Sequence, residues 1–150
     1  SLAMKTPHLI ISLVVVVLLA CNKEQAMQAP YRTRSDFFET DKDLHKTLQT
    51  VLDKSSHGEK LQRVESIAYL DAKNKSYAFV FYRSDKGSSN VVLQKSYLAN
   101  KQVTMSSTRC EGVDCNCQVK TIISDSGDVT LGCSCSSCTM LTNSVSPASY

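Results

Sequence analysis

CEGVDCNCQVKTIISDSGDVTLGCSCSSC, residues 110–138, holds six of the chain's seven cysteines in the spacing C-x4-C-x-C, fifteen residues, C-x-C-x2-C. Between the clusters lies a hairpin signal. Residues 118–124 and 128–135 are β-rich, and Asp125-Ser126-Gly127 places glycine at the left-handed position of a three-residue loop. Closing Ser124 on Asp128 sets Ile123 opposite Val129, Thr121 opposite Leu131, Val119 opposite Cys133 and Cys117 opposite Cys135. One face is then apolar and sulfur-bearing. The other carries Gln118, Lys120, Ile122 and Ser124 against Thr130, Gly132 and Ser134. Cys115 and Cys138 fall just past the open end and Cys110 is near enough to fold back, so all six thiols gather at one end of one hairpin.

Working outward, three more β-rich runs precede this stretch, at 63–71, 76–84 and 90–99, divided by AKNK and SDKGSS. Pairing Asp71 with Ser76 sets Ala68 against Phe79 and Leu70 against Tyr77. Reading Asp85-Lys86-Gly87 as a second three-residue loop sets Phe79 against Leu93 and Phe81 against Val91. That register collects Leu70, Ala68, Tyr77, Phe79, Phe81, Leu93 and Val91 on one face, where a helix should dock. The reverse face keeps Ile67, Ala78, Val80 and Val92, which makes the second run central and covered on both sides. Asn100-Lys101 turns the chain into a fourth strand through Val103 and Met105, and the cysteine hairpin supplies the fifth and sixth. The docking helix spans 41–54: Thr40 caps it, and Leu44, Leu48, Val51 and Leu52 recur at helical spacing, one heptad after Phe37. The fold class expected is α+β, an antiparallel meander of five or six strands, or a small open barrel, with one N-terminal helix. The domain runs over 36–140. Residues 141–150 form a flexible tail, and the fraying expected there begins at Thr139 in a serine-rich run containing Pro147.

At 150 residues, formal charge +3 and 21% charged residues, the chain has the size and balance of one globular domain. Its charges alternate in sign, as in DKDLHK and EKLQR, which is a solvated surface rather than a nucleic-acid footprint.

Residues 9–20 are uncharged and apolar but for Ser12, and follow Met4, Lys5 and a short polar stretch, with Ser1-Leu2-Ala3 ahead of the methionine. Twelve residues fall short of the ~20 needed to span a bilayer, so 1–20 reads as a signal peptide. Its end, Leu18-Leu19-Ala20-Cys21, resembles the lipobox of bacterial lipoproteins position by position. That resemblance implies cleavage before Cys21, a diacylglyceryl thioether on Cys21, and usually an acylated new N-terminus. Two acyl chains hold a protein on its membrane stably. The expected location is the bacterial cell envelope; Asn22, where an aspartate would favour inner-membrane retention, makes the outer membrane the better expectation. Residues 21–35 read as a polar tether.

Export leaves Cys110, Cys115, Cys117, Cys133, Cys135 and Cys138, an even number in an oxidising compartment, and so a disulfide framework with fifteen possible connectivities. The alternative is a thiolate metal site for zinc or copper built from Cys115, Cys117, Cys133, Cys135 and Cys138, with Cys110 in support. Cys135-Ser136-Ser137-Cys138 has the spacing of a redox pair but no helix pattern follows it. There is no G-x-S-x-G, no H-E-x-x-H and no phosphate loop. His45 on the helix and His57 in the next loop are read as solvated. The function expected is a non-catalytic binding or envelope-structural module, partnered by its membrane and by a protein or small molecule that the sequence does not name. No cofactor is expected on this first reading, and zinc or copper on the alternative.

Overall fold

The computed structural model describes residues 31–56 and 58–146. The signal peptide, Cys21, most of the tether, His57 and the end of the tail lie outside them. Among the described residues no helix is long and apolar enough to cross a membrane.

The architecture is α+β: helix α1 (Asp41–Leu52) and strands β1 (Leu61–Ala72), β2 (Lys75–Ser84), β3 (Gly87–Tyr97), β4 (Val103–Glu111), β5 (Val119–Ile123), β6 (Val129–Cys133) and β7 (Thr139–Val145). The Thr40 hydroxyl accepts from the Asp43 amide at 3.2 Å, as a capping residue does. The helix ends two residues earlier than its periodicity predicts. Beyond Leu52 the amides of Lys54 and Ser55 turn back to the carbonyls of Val51 and Leu52 in a tighter turn, and Gln49 leaves the helix surface to bond Asp53 and the backbone of Glu59 and Leu61.

Five strands form one antiparallel sheet in the order β1-β2-β3-β4-β7, and β5 and β6 form a separate two-stranded ribbon. The central strand is therefore β3, not β2, although both are covered on both faces. Between β1 and β2 the predicted register holds, with Ala68 opposite Phe79 and Leu70 opposite Tyr77. Between β2 and β3 it is one residue out. Ser84 pairs with Gly87 across a two-residue turn, so Phe79 meets Val92 and Phe81 meets Asn90. The Ser84 hydroxyl, whose one proton goes to Glu59 at 2.6 Å, supports this turn by accepting from the Lys86 amide at 3.1 Å, while Gly87 (φ 122°) re-enters the sheet in a conformation that side chains disfavour.

A one-residue slip exchanges the faces of a strand, and here it splits the expected docking face, since Val91 and Leu93 meet the helix as expected while their β2 companions do not. α1 packs not on the face of Tyr77, Phe79 and Phe81 but on the opposite one. Leu44, Leu48, Val51 and Leu52 join Phe37 and Phe38 against Val64, Ala78, Val80, Tyr82, Val91, Leu93, Met105 and Val145. Tyr77 and Phe79 of the predicted docking face, with Val92 from the predicted reverse face and Cys110 of β4, are covered instead by the cysteine ribbon, through Cys117, Val119, Val129 and Leu131. Each face of the sheet thus has its own apolar layer.

The serine-rich segment from Thr139, expected to fray, is β7. It pairs with β4 from Glu111 opposite Thr139 to Met105 opposite Val145, and its polar composition is accommodated by cross-strand contacts such as Thr108 to Thr142, hydroxyl to hydroxyl at 3.1 Å. Consequently β4 and β7 are one hairpin, and residues 112–138 are an excursion from it that folds back over the sheet.

The last residues assigned to the tether are docked as well. Arg34 donates to Asp36 and Asp71, and its guanidinium lies 5.1 Å from the Tyr69 ring centre, while the Tyr69 hydroxyl donates to the carbonyl of Arg32. The Asp71 carboxyl is held below the usual carboxylate range, first by its hydrogen bonds from Arg34. The packed domain therefore includes Tyr31 to Ser35, in front of the predicted start at 36.

Candidate functional site: a disulfide-walled cavity

The β5–β6 register is the predicted one, from Val119 opposite Cys133 to Ile123 opposite Val129. What sequence could not supply was the connectivity. Cys110 is bonded to Cys133, Cys115 to Cys135 and Cys117 to Cys138, with Cα separations of 5.7, 6.8 and 5.8 Å. Cys117 and Cys135, opposite by extrapolation of the ladder, are not partners. The ladder ends at Cys133, and a turn with the Cys138 amide on the Cys135 carbonyl carries Cys138 back towards Cys117.

Polar contacts fix the ribbon where the apolar layer leaves it free to slide. Asn90 is 4% exposed; its amide nitrogen donates to the Val119 carbonyl at 2.9 Å and its amide oxygen accepts from the Val119 amide at 2.7 Å. One side chain of β3 thereby imitates a strand neighbour for β5. Ser89 donates to the Cys117 carbonyl, and at the far end Lys73, in the β1–β2 turn, meets Asp128 at 2.6 Å. The latter contact holds the Asp128 carboxyl below its ordinary value.

Where the link from α1 to β1, the β2–β3 turn and the start of the excursion meet, they line a cavity of about 480 Å³ that is open to solvent. Its wall includes Ser55, Glu59, Tyr82, Arg109, Glu111 and Cys117. Arg109 and Glu111 reach it because they continue the period-two face of Met105 and Ser107, which points towards α1. That continuation was the available sequence signal, and the sequence reading did not use it. The Arg109 side chain is 8% exposed. Its Nη2 lies 3.1 Å from Glu59 and 2.8 Å from Glu111. Glu59 also accepts from Ser84, and Glu111 from Ser56. These contacts leave Arg109 Nε and Nη1, Glu111 Oε1 and the Ser55 hydroxyl as the buried side-chain polar atoms without a hydrogen-bond partner among the described residues, the Nη2–Oε1 approach being an ion pair without hydrogen-bond alignment. Glu111 Oε1 is compensated by that ion pair; the others are of the kind that costs roughly 1–3 kcal/mol each when nothing completes them.

Tyr82, buried in the same wall, has its phenol pushed up to about 12 by burial and then by the charge of Glu59. The fold therefore favours the protonated phenol. The stability this contributes is whole below the unfolded value near ~10 and is lost as pH rises towards the folded one. In an absorbance titration of phenolate we expect a step near pH 12 that vanishes in Tyr82→Phe; an unchanged curve would sink the assignment.

Gly112 closes the wall from the other side. A Cβ there would stand 2.6 Å from Cys117 Sγ and 3.2 Å from the Ser137 carbonyl oxygen. Gly112→Ala is therefore expected to cost about 1–3 kcal/mol through overpacking. Chemical denaturation would show it as a lower midpoint, whereas an unchanged midpoint would mean that the loop yields freely.

The alternative metal ligands divide between two environments. Cys115, Cys117 and Cys138 have sulfurs all within 4.8 Å of one another, and Cys135 is bonded to Cys115, while Cys133 is bonded to Cys110. All are disulfide sulfurs here, and metal ligation needs the thiolate. His45, read as solvated, has Tyr31 as a neighbour at 3.4 Å on the surface. Comparison with protein-family models, with curated proteins and with solved structures finds no match to the chain.

Proposed function

We propose that this protein is a non-catalytic binding module of the bacterial cell envelope, held on the membrane, most simply the outer one, by lipid on Cys21, with the disulfide-walled cavity as its ligand site. The supporting observation is the cavity itself: about 480 Å³, within the ordinary size of small-molecule sites, with the polar residues Ser55, Glu59, Arg109 and Glu111 in its wall. The disulfides serve this reading as staples for a wall that has little secondary structure of its own. The test is a screen of polar small molecules against the oxidised full chain in detergent micelles, read by amide NMR. Shifts centred on Ser55, Glu59, Ser88, Arg109 and Gly112 are expected, and a screen that leaves those resonances in place would remove the cavity as the site. The anchor is tested separately by Cys21→Ser, which should release the chain from the membrane fraction.

A second reading is favoured by the three clustered sulfurs. After reduction by a dithiol, the clustered Cys115, Cys117 and Cys138, with Cys135 released from Cys115, would offer a thiolate set for zinc or copper(I). Stoichiometric zinc retained by the reduced protein against a weak chelator would support it, and zinc lost to that chelator would count against it.

A further inference from the structure

Four of the six bonded sulfurs form one cluster. Cys115 Sγ, bonded to Cys135, lies 3.2 Å from Cys138 Sγ and 3.7 Å from Cys117 Sγ, the two sulfurs of the neighbouring bridge. We infer that these four cysteines are a thiol–disulfide exchange site, at which a small thiol moves the chain between the pairing seen here and a nested one, Cys115 with Cys138 and Cys117 with Cys135. This exchange is independent of what the cavity binds.

Both bonds of the nested pairing are prepared. Cys138 Sγ already touches Cys115 Sγ. Cys117 and Cys135 flank Gln118 and Ser134, where the Ser134 amide donates to the Gln118 carbonyl at 2.9 Å. That contact belongs to a hydrogen-bonded pair, so the next positions along the ladder are a close pair, with Cα atoms ~4.5 Å apart where the ladder continues, a spacing that a disulfide can bridge. The ladder stops short of them here, the Gln118 amide taking the Ser134 hydroxyl at 3.0 Å in place of its carbonyl.

Access decides where exchange begins. Cys117 is 8% exposed, whereas Cys115 and Cys135 are half-buried, with exposed Asp114, Asn116 and Ser136 beside them. A thiolate from solvent therefore reaches the Cys115–Cys135 bridge first. Attack at Cys135 Sγ forms a mixed disulfide, and the electron pair of the broken bond leaves on Cys115. The Cys115 thiolate attacks Cys138 Sγ, and the pair of the broken Cys117–Cys138 bond leaves on Cys117. Cys117 then attacks Cys135 in the mixed disulfide and returns the small thiolate. Two bonds among the four cysteines break and two form, no electron is gained or lost, and the thiol is not consumed. Because Cys115 and Cys117 line the cavity, the exchange re-ties its wall, while the Cys110–Cys133 bridge takes no part.

The experiment isolates the middle step. Cys135→Ser, made in the full chain and kept oxidised in micelles, leaves one thiol beside the Cys117–Cys138 bridge. Exchange is stopped with acid, which removes the thiolate, and the free thiol is labelled with a maleimide in denaturant and located by fragmentation mass spectrometry. Label is expected on both Cys115 and Cys117, with at least about a tenth on each, because the same number of bonds stands in either form. Cys133→Ser is the control: the freed Cys110 lies against the Gly132 carbonyl, outside the cluster, and should carry the label alone. Since either variant can fold poorly, the unaltered chain is also incubated with about a tenth of an equivalent of glutathione, too little to reduce the bridges, and its bonds are mapped. Cys115–Cys138 and Cys117–Cys135 are expected beside the pairing seen here, with Cys110–Cys133 unchanged. Label confined to Cys115, label that spreads as widely from Cys110, or a single unchanged pairing in the unaltered chain would each overturn the inference.

Discussion

Arg109→Met is expected to lose about 3–5 kcal/mol of stability, the usual consequence of removing one partner from a buried ionic cluster. The substitution keeps most of the aliphatic volume and removes the one cation that lies between Glu59 and Glu111, whose side chains are 9% and 16% exposed. Two carboxylates would then face each other with little water to separate them. Against a total stability of about 5–15 kcal/mol for a domain, that loss is enough to populate the unfolded state on mild heating. The accompanying test is rescue. Glu59→Gln with Glu111→Gln should recover most of the loss in the Arg109→Met background, since amides repel each other no more than the surrounding hydroxyls do. A calorimetric midpoint for Arg109→Met within a degree or two of the parent would show that the guanidinium is not the keystone of this wall.

Reduction of the three disulfides is expected to have the larger effect, and an uneven one. Each closes a loop of 20 to 23 residues and contributes about 2–4 kcal/mol in the usual range. Their loss falls on the apolar layer under the ribbon, which contains Cys110, Cys117, Cys133 and Cys138. The helix-side layer contains no cysteine. After reduction and alkylation we therefore expect the melting midpoint to fall by about 20 °C or more. Amide exchange should become fast over Val119 to Cys133 while Val80, Val91 and Leu93 stay protected. Uniform loss of protection would mean that the two layers stand or fall together, contrary to the division seen here.

How much of this was legible depended on whether the deciding interaction was local. The β5–β6 register, and the β1–β2 register from Ser66 to Ala72, follow from short turns and alternation and were readable; the shifts between Val64 and Ser66 and between Leu61 and Arg63 were not. The helix was readable because its four apolar residues all point one way. The β2–β3 register was not, since glycine at 87 suits both the last position of a three-residue loop and the first residue of a strand. What supports the tighter turn is the Ser84 hydroxyl on the Lys86 amide. That single ambiguity reversed β3 relative to β2 and so split the expected docking face: Val91 and Leu93 lie under the helix as expected, whereas Tyr77 and Phe79 lie on the other side. β7 was hidden because its partner is β4, across the whole excursion, and because threonine and asparagine on a half-exposed edge look like a tail. The cavity was hidden for a similar reason: Glu59 and Arg109 are fifty residues apart, and the burial that makes an arginine informative is not visible in a sequence.

The disulfide connectivity has a kinetic consequence. The cysteines pair in order, first with fourth, second with fifth and third with sixth. No native bond joins neighbours in the chain, yet Cys115 and Cys117, or Cys133 and Cys135, are the pairs that meet most readily in an unfolded chain. An oxidant that arrives before the turn at Asp125-Ser126-Gly127 has formed will therefore trap the chain in bonds that must later be exchanged, over minutes to hours without an isomerase. Folding from the reduced state then depends on two turns as well as on the cysteines: the hairpin turn brings the clusters together, and the fold-back between Cys135 and Cys138 replaces the nested order of the ladder by the native one.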